Sequence, residues 1–273
     1  MSNPAREEDA DPKVRVRDLE KENRVLARKL ARLDSNVRQM EEMQDATSKL
    51  LSALTQELEE ERAKSHALLL NILPQQIIDR LEAGEKVIAD RLPEVTVLFS
   101  DLVGFTATSS DLEPHVLVSE LNVLFSRFDA LCQEIGVEKV KTIGDAYMAV
   151  GGLPGTRADH VAAVAELALG MVKAIEDVGA AADRAWKIRI GIHAGPAVAG
   201  VIGVWKFVYD VWGDAVNTAS RLESSAEPNR IHVSEPVAKL LAASFDLEAR
   251  GMVDLKGKGE TATYFLNGRL ERS

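Results

Sequence analysis

Between Val16 and Ile72 apolar residues return at alternating intervals of three and four, and neither glycine nor proline interrupts the run. That spacing is the seam of a left-handed coiled coil. Val16, Leu30, Val37, Leu51, Leu58 and Ile72 form one row of the seam, and Leu19, Leu26, Leu33, Met40, Leu54 and Leu68 form the other. At about 1.5 Å per residue the segment predicts a rod of roughly 85 Å. Leucine dominates the second row and Asn23 falls in the first, a pattern that favours a parallel dimer. Gln44, Thr47, Glu61 and Ser65 also occupy seam positions, so the zipper softens at its middle and near its end. A rod that must change register or splay has a use for such places.

Pro74 then breaks the helix, and NILPQQIIDRLEAGE leads into a short second one. From Val95 the heptads give way to alternating helix and strand signals. The expected organisation is a disordered N-terminus over 1–13, a coiled-coil helix over 14–73, a linker with a short helix over 74–92, a catalytic domain over 93–268 and a tail over 269–273. Within the domain the pattern predicts a strand at Val95–Ser100, a helix at Pro114–Ile135, a hairpin across Val137–Gly151 and an Ala-rich helix at Asp159–Val178. A strand at Lys187–His193, another near Phe207–Trp212, a helix from Asp214 and short β pieces complete it. This order, βαββαβ with extensions, predicts an α+β, ferredoxin-like fold with a mostly antiparallel sheet.

With 46% hydrophobic and 28% charged residues in 273, the chain can bury a sizeable core. Its net charge of −10 argues against gripping nucleic acid through phosphates, and any polyanionic ligand must meet locally concentrated cations. Cys132 is the only cysteine, which excludes an intrachain disulfide and a thiolate zinc site and suits a reducing cytosol. His66, His115, His160, His193 and His232 lack metal-site spacing and read as surface or satisfied core residues. The least polar stretch, Ala194 to Trp205, falls short of the roughly 20 residues of a membrane span, and MSNPAREEDADPK has no signal-peptide core. The expected location is the cytoplasm, or the cytosolic part of a longer membrane receptor.

Asp101 stands where the strand VTVLFS meets the turn LVGFT, and Asp145 follows Gly144 at the bend of a hairpin. Either aspartate alone reads as a turn residue or helix cap. Two acids at strand ends are also suited to Mg²⁺, which takes carboxylate oxygens together with substrate phosphates. Around them stand, in order, FSDLVGF at 99–105, KTIGDAYM at 141–148, GIHAGPAVAGVIG at 191–203, YDVWGDAVNTASRLES at 209–224 and LKGKGE at 255–260. This series closely resembles the catalytic domain of the class III nucleotidyl cyclases, the adenylate and guanylate cyclases, over about residues 90–268. The coiled coil running into NILPQQIIDRL looks like the signalling helix that precedes many such domains.

The resemblance implies roles residue by residue. Asp101 and Asp145 match two aspartates that hold a pair of Mg²⁺ ions, with Mn²⁺ able to substitute and the Leu102 carbonyl as a further ligand. Phe105 and Thr106, in the turn before the first helix, match backbone positions that receive phosphates. Asn217 matches a ribose-orienting asparagine and Arg221 a transition-state arginine; on a helix their i, i+4 spacing puts them on one face. Lys256 matches a lysine for the β- and γ-phosphates, with Lys258 close enough to compete for the role. Lys141 and Asp210 fall where adenylate cyclases carry lysine and aspartate and guanylate cyclases carry glutamate and cysteine. A lysine donor and carboxylate acceptor complement adenine at N1 and its 6-amino group. ATP is the expected substrate, cyclised by in-line attack of the ribose 3′-hydroxyl on the α-phosphate.

In the resembled family the metal aspartates and the purine, ribose and arginine positions come from different chains, so a homodimer with two shared sites is expected, fed by an upstream sensor. The competing readings are a guanylate or relaxed purine cyclase and a catalytically idle, nucleotide-binding regulatory dimer. The bland alternative for Lys141 and Asp210 is that they pair with each other in the empty site.

Overall fold

The structure, a computed structural model, describes residues 12–105, 113–153, 158–182, 186–203 and 205–270. Thr106 and most of the segment 1–13 lie outside the described residues. The chain divides into two units, Met1–Leu68 and Leu69–Ser273.

The first unit is one continuous helix, α1 (Pro12–Leu70), whose last turn runs into the second unit. It ends two residues before Ile72, which sits in a turn closed by Leu73 N–H donating to Leu69 O at 2.9 Å. The seam residues Leu30, Met40, Leu51 and Leu58 are all exposed along it. Thr47 and Thr55 hydroxyls donate back to Met43 O and Leu51 O at 2.7 and 2.9 Å, a local bond that costs the helix little.

In the second unit Pro74 starts α2 (Gln75–Glu82), as expected from its fixed φ. Ile77 and Ile78 on α2 are buried beside Val97 and Phe99, so this part of the expected linker belongs to the packed unit. There follow β1 (Ala89–Leu102), α3 (Pro114–Ile135), β2 (Glu138–Ile143), β3 (Ala146–Gly151), α4 (His160–Ala182) and β4 (Ile188–Ile202). The order to this point is βαββαβ. Next come β5 (Val208–Trp212), α5 (Asp214–Ser224), β6 (Ile231–Ser234), α6 (Glu235–Leu241), β7 (Phe245–Leu255) and β8 (Gly259–Arg269). Of the short β pieces expected near the C-terminus, β6 is one; the remainder is corrected to a helix and two 11-residue strands that pair with each other.

The sheet runs β2-β3-β1-β4-β6-β8-β7, with β5 joined to β4. Every pairing is antiparallel except β4 with β6. Strand alternation divides the core between its two faces. Leu98, Tyr147 and Ile190 pack with Phe128 of α3 and Leu167 and Met171 of α4, whereas Val97, Phe99 and Met148 pack with α2 and with Ala215 and Ala219 of α5. The approach of α5 to the sheet is set by Gly191: a Cβ there would meet Glu223 N at 2.1 Å and Ala219 O at 2.3 Å. No described helix is long and apolar enough to cross a membrane.

The described buried histidines are satisfied core residues. His160 Nδ1 lies 2.7 Å from Thr96 Oγ1, and His232 Nδ1 lies 2.9 Å from Leu222 O. Burial lowers the His232 pKa from 6.5 to about 4, so it sits neutral in the core at pH 7.

Candidate active site

The antiparallel pairing of β1 with β4 places Asp101 opposite Arg189, and Arg189 Nη2 donates to Asp101 Oδ2 at 2.6 Å. The pairing of β1 with β3 brings the β2–β3 turn alongside, where Gly144 takes φ +64° and Asp145 follows it. The Asp145 carboxyl neighbours that of Asp101 and the Leu102 backbone. Its pKa is raised, first by burial and then by the charge of Asp101. Two carboxylates this close disfavour joint ionisation unless a cation sits between them, and this donor set fits a hard divalent ion. No group of three or more such side chains converges among the described residues. The remaining ligands of an ion held here would be backbone oxygen, phosphate and water.

Arg189 and Glu223 were not singled out by spacing, yet they frame this pair. Arg189 Nε faces Glu223 Oε1 at 3.4 Å, and neither atom has a hydrogen bond. Glu223 has its pKa raised mainly by burial, opposed by Arg189. The available sequence signal was an arginine inside IRIGIH, a strand that is otherwise apolar and covered on both faces.

The second group of residues lies along β2, β5 and α5. A register shift between Lys139 and Lys141 reorients the end of β2, and Lys141 Nζ donates to Asp210 Oδ2 at 2.5 Å. Asp210 is 9% exposed and its Oδ1 accepts from the Val211 N–H, so the carboxylate is fixed at both oxygens. The alternative in which these two residues pair with each other is thus observed. Gly213, at φ +141°, caps α5 where a side chain would press on Pro196 and Ala197. Ala215, Thr218, Ala219 and Leu222 bury one face of α5, leaving Asn217 exposed and Arg221 half-buried on another.

Arg221 lies under the β7–β8 turn, its guanidinium 3.6 Å from the position of a Cβ on Gly257. In that turn Lys258 is paired with Asp214, while exposed Lys256 has no hydrogen bond or ion pair among the described residues. Phe105 packs on the core with its ring 6.1 Å from that of Trp186. Among the described residues no hydrogen bond or ion pair joins Asp101 or Asp145 to Lys141, Asp210, Asn217 or Arg221.

Residues 87–268 match the adenylate and guanylate cyclase catalytic domain family, and the chain belongs to that class III family. It is 44% identical over 213 residues to an adenylate cyclase of Mycobacterium tuberculosis, covering 78% of this chain and 48% of that one. It is 42% identical over 241 residues to human atrial natriuretic peptide receptor 2, covering 86% of this chain and 23% of the receptor. The guanylate cyclase domain of RhGC from Catenaria anguillulae, solved with GTP, superposes with a TM-score of 0.64 at 36% identity, covering 66% of this chain and all of that one. The chain thus spans about half the length of the mycobacterial cyclase.

Proposed function

We propose that the chain is an adenylate cyclase, converting ATP to 3′,5′-cyclic AMP and pyrophosphate as a homodimer with two shared sites. The observation that carries this reading is the Lys141–Asp210 pair, a donor and an acceptor held side by side. Opened onto a base, Lys141 donates to adenine N1 and Asp210 accepts from the 6-amino group; guanine reverses both polarities and leaves them mismatched.

Asp101 and Asp145, with the Leu102 carbonyl, would hold two Mg²⁺ or Mn²⁺ ions. When bound, such ions supply polarisation of the 3′-hydroxyl and neutralise the leaving pyrophosphate. The residues of the second half-site act on the substrate directly. Asn217 orients the ribose. Arg221, backed by the Gly257 turn, presents a guanidinium to charge growing on the α-phosphate. Lys256, without a partner among the described residues, is the better candidate for the β- and γ-phosphates, because Lys258 is engaged with Asp214. The turn at Leu102–Phe105 offers backbone amides to the same phosphates, with Thr106 beyond it.

No hydrogen bond or ion pair among the described residues joins the two groups, which supports a reading in which a second copy completes each site. The exposed α1 seam supplies the means, a parallel coiled coil that raises the effective concentration of the halves. An upstream sensor acting on that rod fits the softened seam positions.

Asp101→Ala and Arg221→Ala proteins are each expected to lose about 10³-fold in turnover or more. Mixed heterodimers should recover one working site, and failure to recover in confirmed heterodimers overturns the shared-site reading. ATP turnover should exceed GTP turnover by about 100-fold, and Lys141→Glu with Asp210→Cys should erode the ratio. The likeness to guanylate cyclases favours GTP as the second reading, and a wild-type preference for GTP would establish it. No cyclic nucleotide from either substrate would instead point to an idle regulatory dimer.

A further inference from the structure

A cavity of about 520 Å³ opens within the Leu69–Ser273 unit and is lined by none of the residues assigned to nucleotide chemistry. Its size falls in the range of small-molecule sites. Three walls build it. The chain from Leu70 to Pro74, where α1 ends, forms the first; the C-terminal end of α3 forms the second; β2 from Glu138 to Val140, with Tyr209 of β5, forms the third.

The charges on these walls are unequal. Asp129 is already compensated, taking Lys139 Nζ on Oδ2 and the Tyr147 hydroxyl on Oδ1, both at 2.7 Å. Cys132 is a neutral thiol, its pKa pushed up to about 11 chiefly by burial. Glu138 is different: it is half-buried and has no hydrogen bond or ion pair among the described residues. Burial alone raises its pKa, and its charge follows burial in pushing the Tyr209 phenol up to about 12. The α3 C-terminus adds the negative end of a helix dipole, and the last turn of α3 contains no basic residue to offset it. Leu70, Leu73, Val140 and Leu153 supply the apolar remainder.

We propose that this cavity binds a small amphiphilic cation, with an ammonium or guanidinium group on Glu138 and the mouth of α3 and an apolar body against Leu73 and Leu153. A cation there would satisfy a carboxylate that no group among the described residues pairs with, which is the condition under which a partly buried charge gains most from a ligand. Its place is regulatory. Val140 adjoins Lys141 and Tyr209 adjoins Asp210, so an occupant touches both the exit of α1 and the flanks of the donor–acceptor pair. The site stands independently of the choice between ATP and GTP.

The test uses the whole protein and three probes of similar shape: cyclohexylamine, cyclohexanol and cyclohexanecarboxylate, followed by saturation-transfer NMR. The amine should bind about ten-fold more tightly than the alcohol, and the carboxylate not at all. Glu138→Gln, nearly isosteric, should remove that ten-fold advantage and leave the alcohol unchanged. Gln133→Trp, at an exposed α3 position on the cavity wall, should block both ligands while the thermal melt stays that of wild type. Equal affinity for all three probes, an amine affinity indifferent to Glu138→Gln, or no amine binding up to about 10 mM overturns the proposal. A cavity closed by a second copy would give the last of these results.

Discussion

The leucines of α1 and those of the catalytic unit have opposite surroundings. Leu30, Leu51 and Leu58 are 67%, 65% and 68% exposed along a helix of 59 residues, whereas Leu98, Leu167 and Leu222 are fully buried between helices and sheet. The difference is one of where the hydrophobic partner resides. In the catalytic unit the chain supplies both sides of each contact, so folding is complete within one copy. In α1 the described residues leave these side chains exposed, and an apolar seam in water gains from pairing with another helix. Stability of the first region should therefore depend on concentration, and stability of the second should not.

The sharpest way to break this contrast is to damage the self-sufficient region. Gly191→Val forces a side chain into the backbone of α5, and the catalytic unit is expected to lose more than about 4 kcal/mol, with thermal melts showing its transition abolished while helical signal from α1 survives. Loss of both signals together would mean that the regions are not independent.

A gentler probe is acid. His232 has a folded pKa of about 4 against 6.5 for the free side chain, so between those values the unfolded chain binds a proton that the folded chain refuses. Stability from this residue is complete above about pH 6.5 and is lost as the pH falls toward 4, by about 3 kcal/mol in all. Urea titrations across that window should show a shallower pH slope for His232→Gln than for wild type. Equal slopes would remove His232 from the account.

The smallest effect belongs to the rod. Leu51→Ala should weaken self-association by about 1–3 kcal/mol, read by analytical ultracentrifugation, with the melt of the catalytic unit unmoved. A shift in that melt of more than a few degrees would show that the seam stabilises more than itself.

Much of this arrangement could be read from residue order. The helix predicted at Pro114–Ile135 has those bounds because proline suits its first turn and Gly136, at φ +78°, ends it. β4 reads only to His193 because Gly195, Pro196 and Gly200 resemble loop punctuation. In the fold the strand continues to Ile202, and Gly200 is what allows Ile88 O to approach, 2.5 Å from where a Cβ would stand. β7 escaped because it lies at the sheet edge and exposes most of its side chains, so its alternation is too polar to register. Of the site, Asp101, Asp145, Lys141 and Asp210 stood out through neighbouring motif residues. Arg189 did not, because its significance comes from a cross-strand partner 88 positions away.

The β2–β3 hairpin bears Lys141 on one arm and Asp145 at its bend. On the proposed function, a single ribbon carries both the reading head for the base and an anchor for the reactive phosphates. Any substitution that twists the ribbon displaces both, so changes in purine preference and changes in speed should be inherited together. Attempts to re-tailor this enzyme for another nucleotide should meet their first obstacle there.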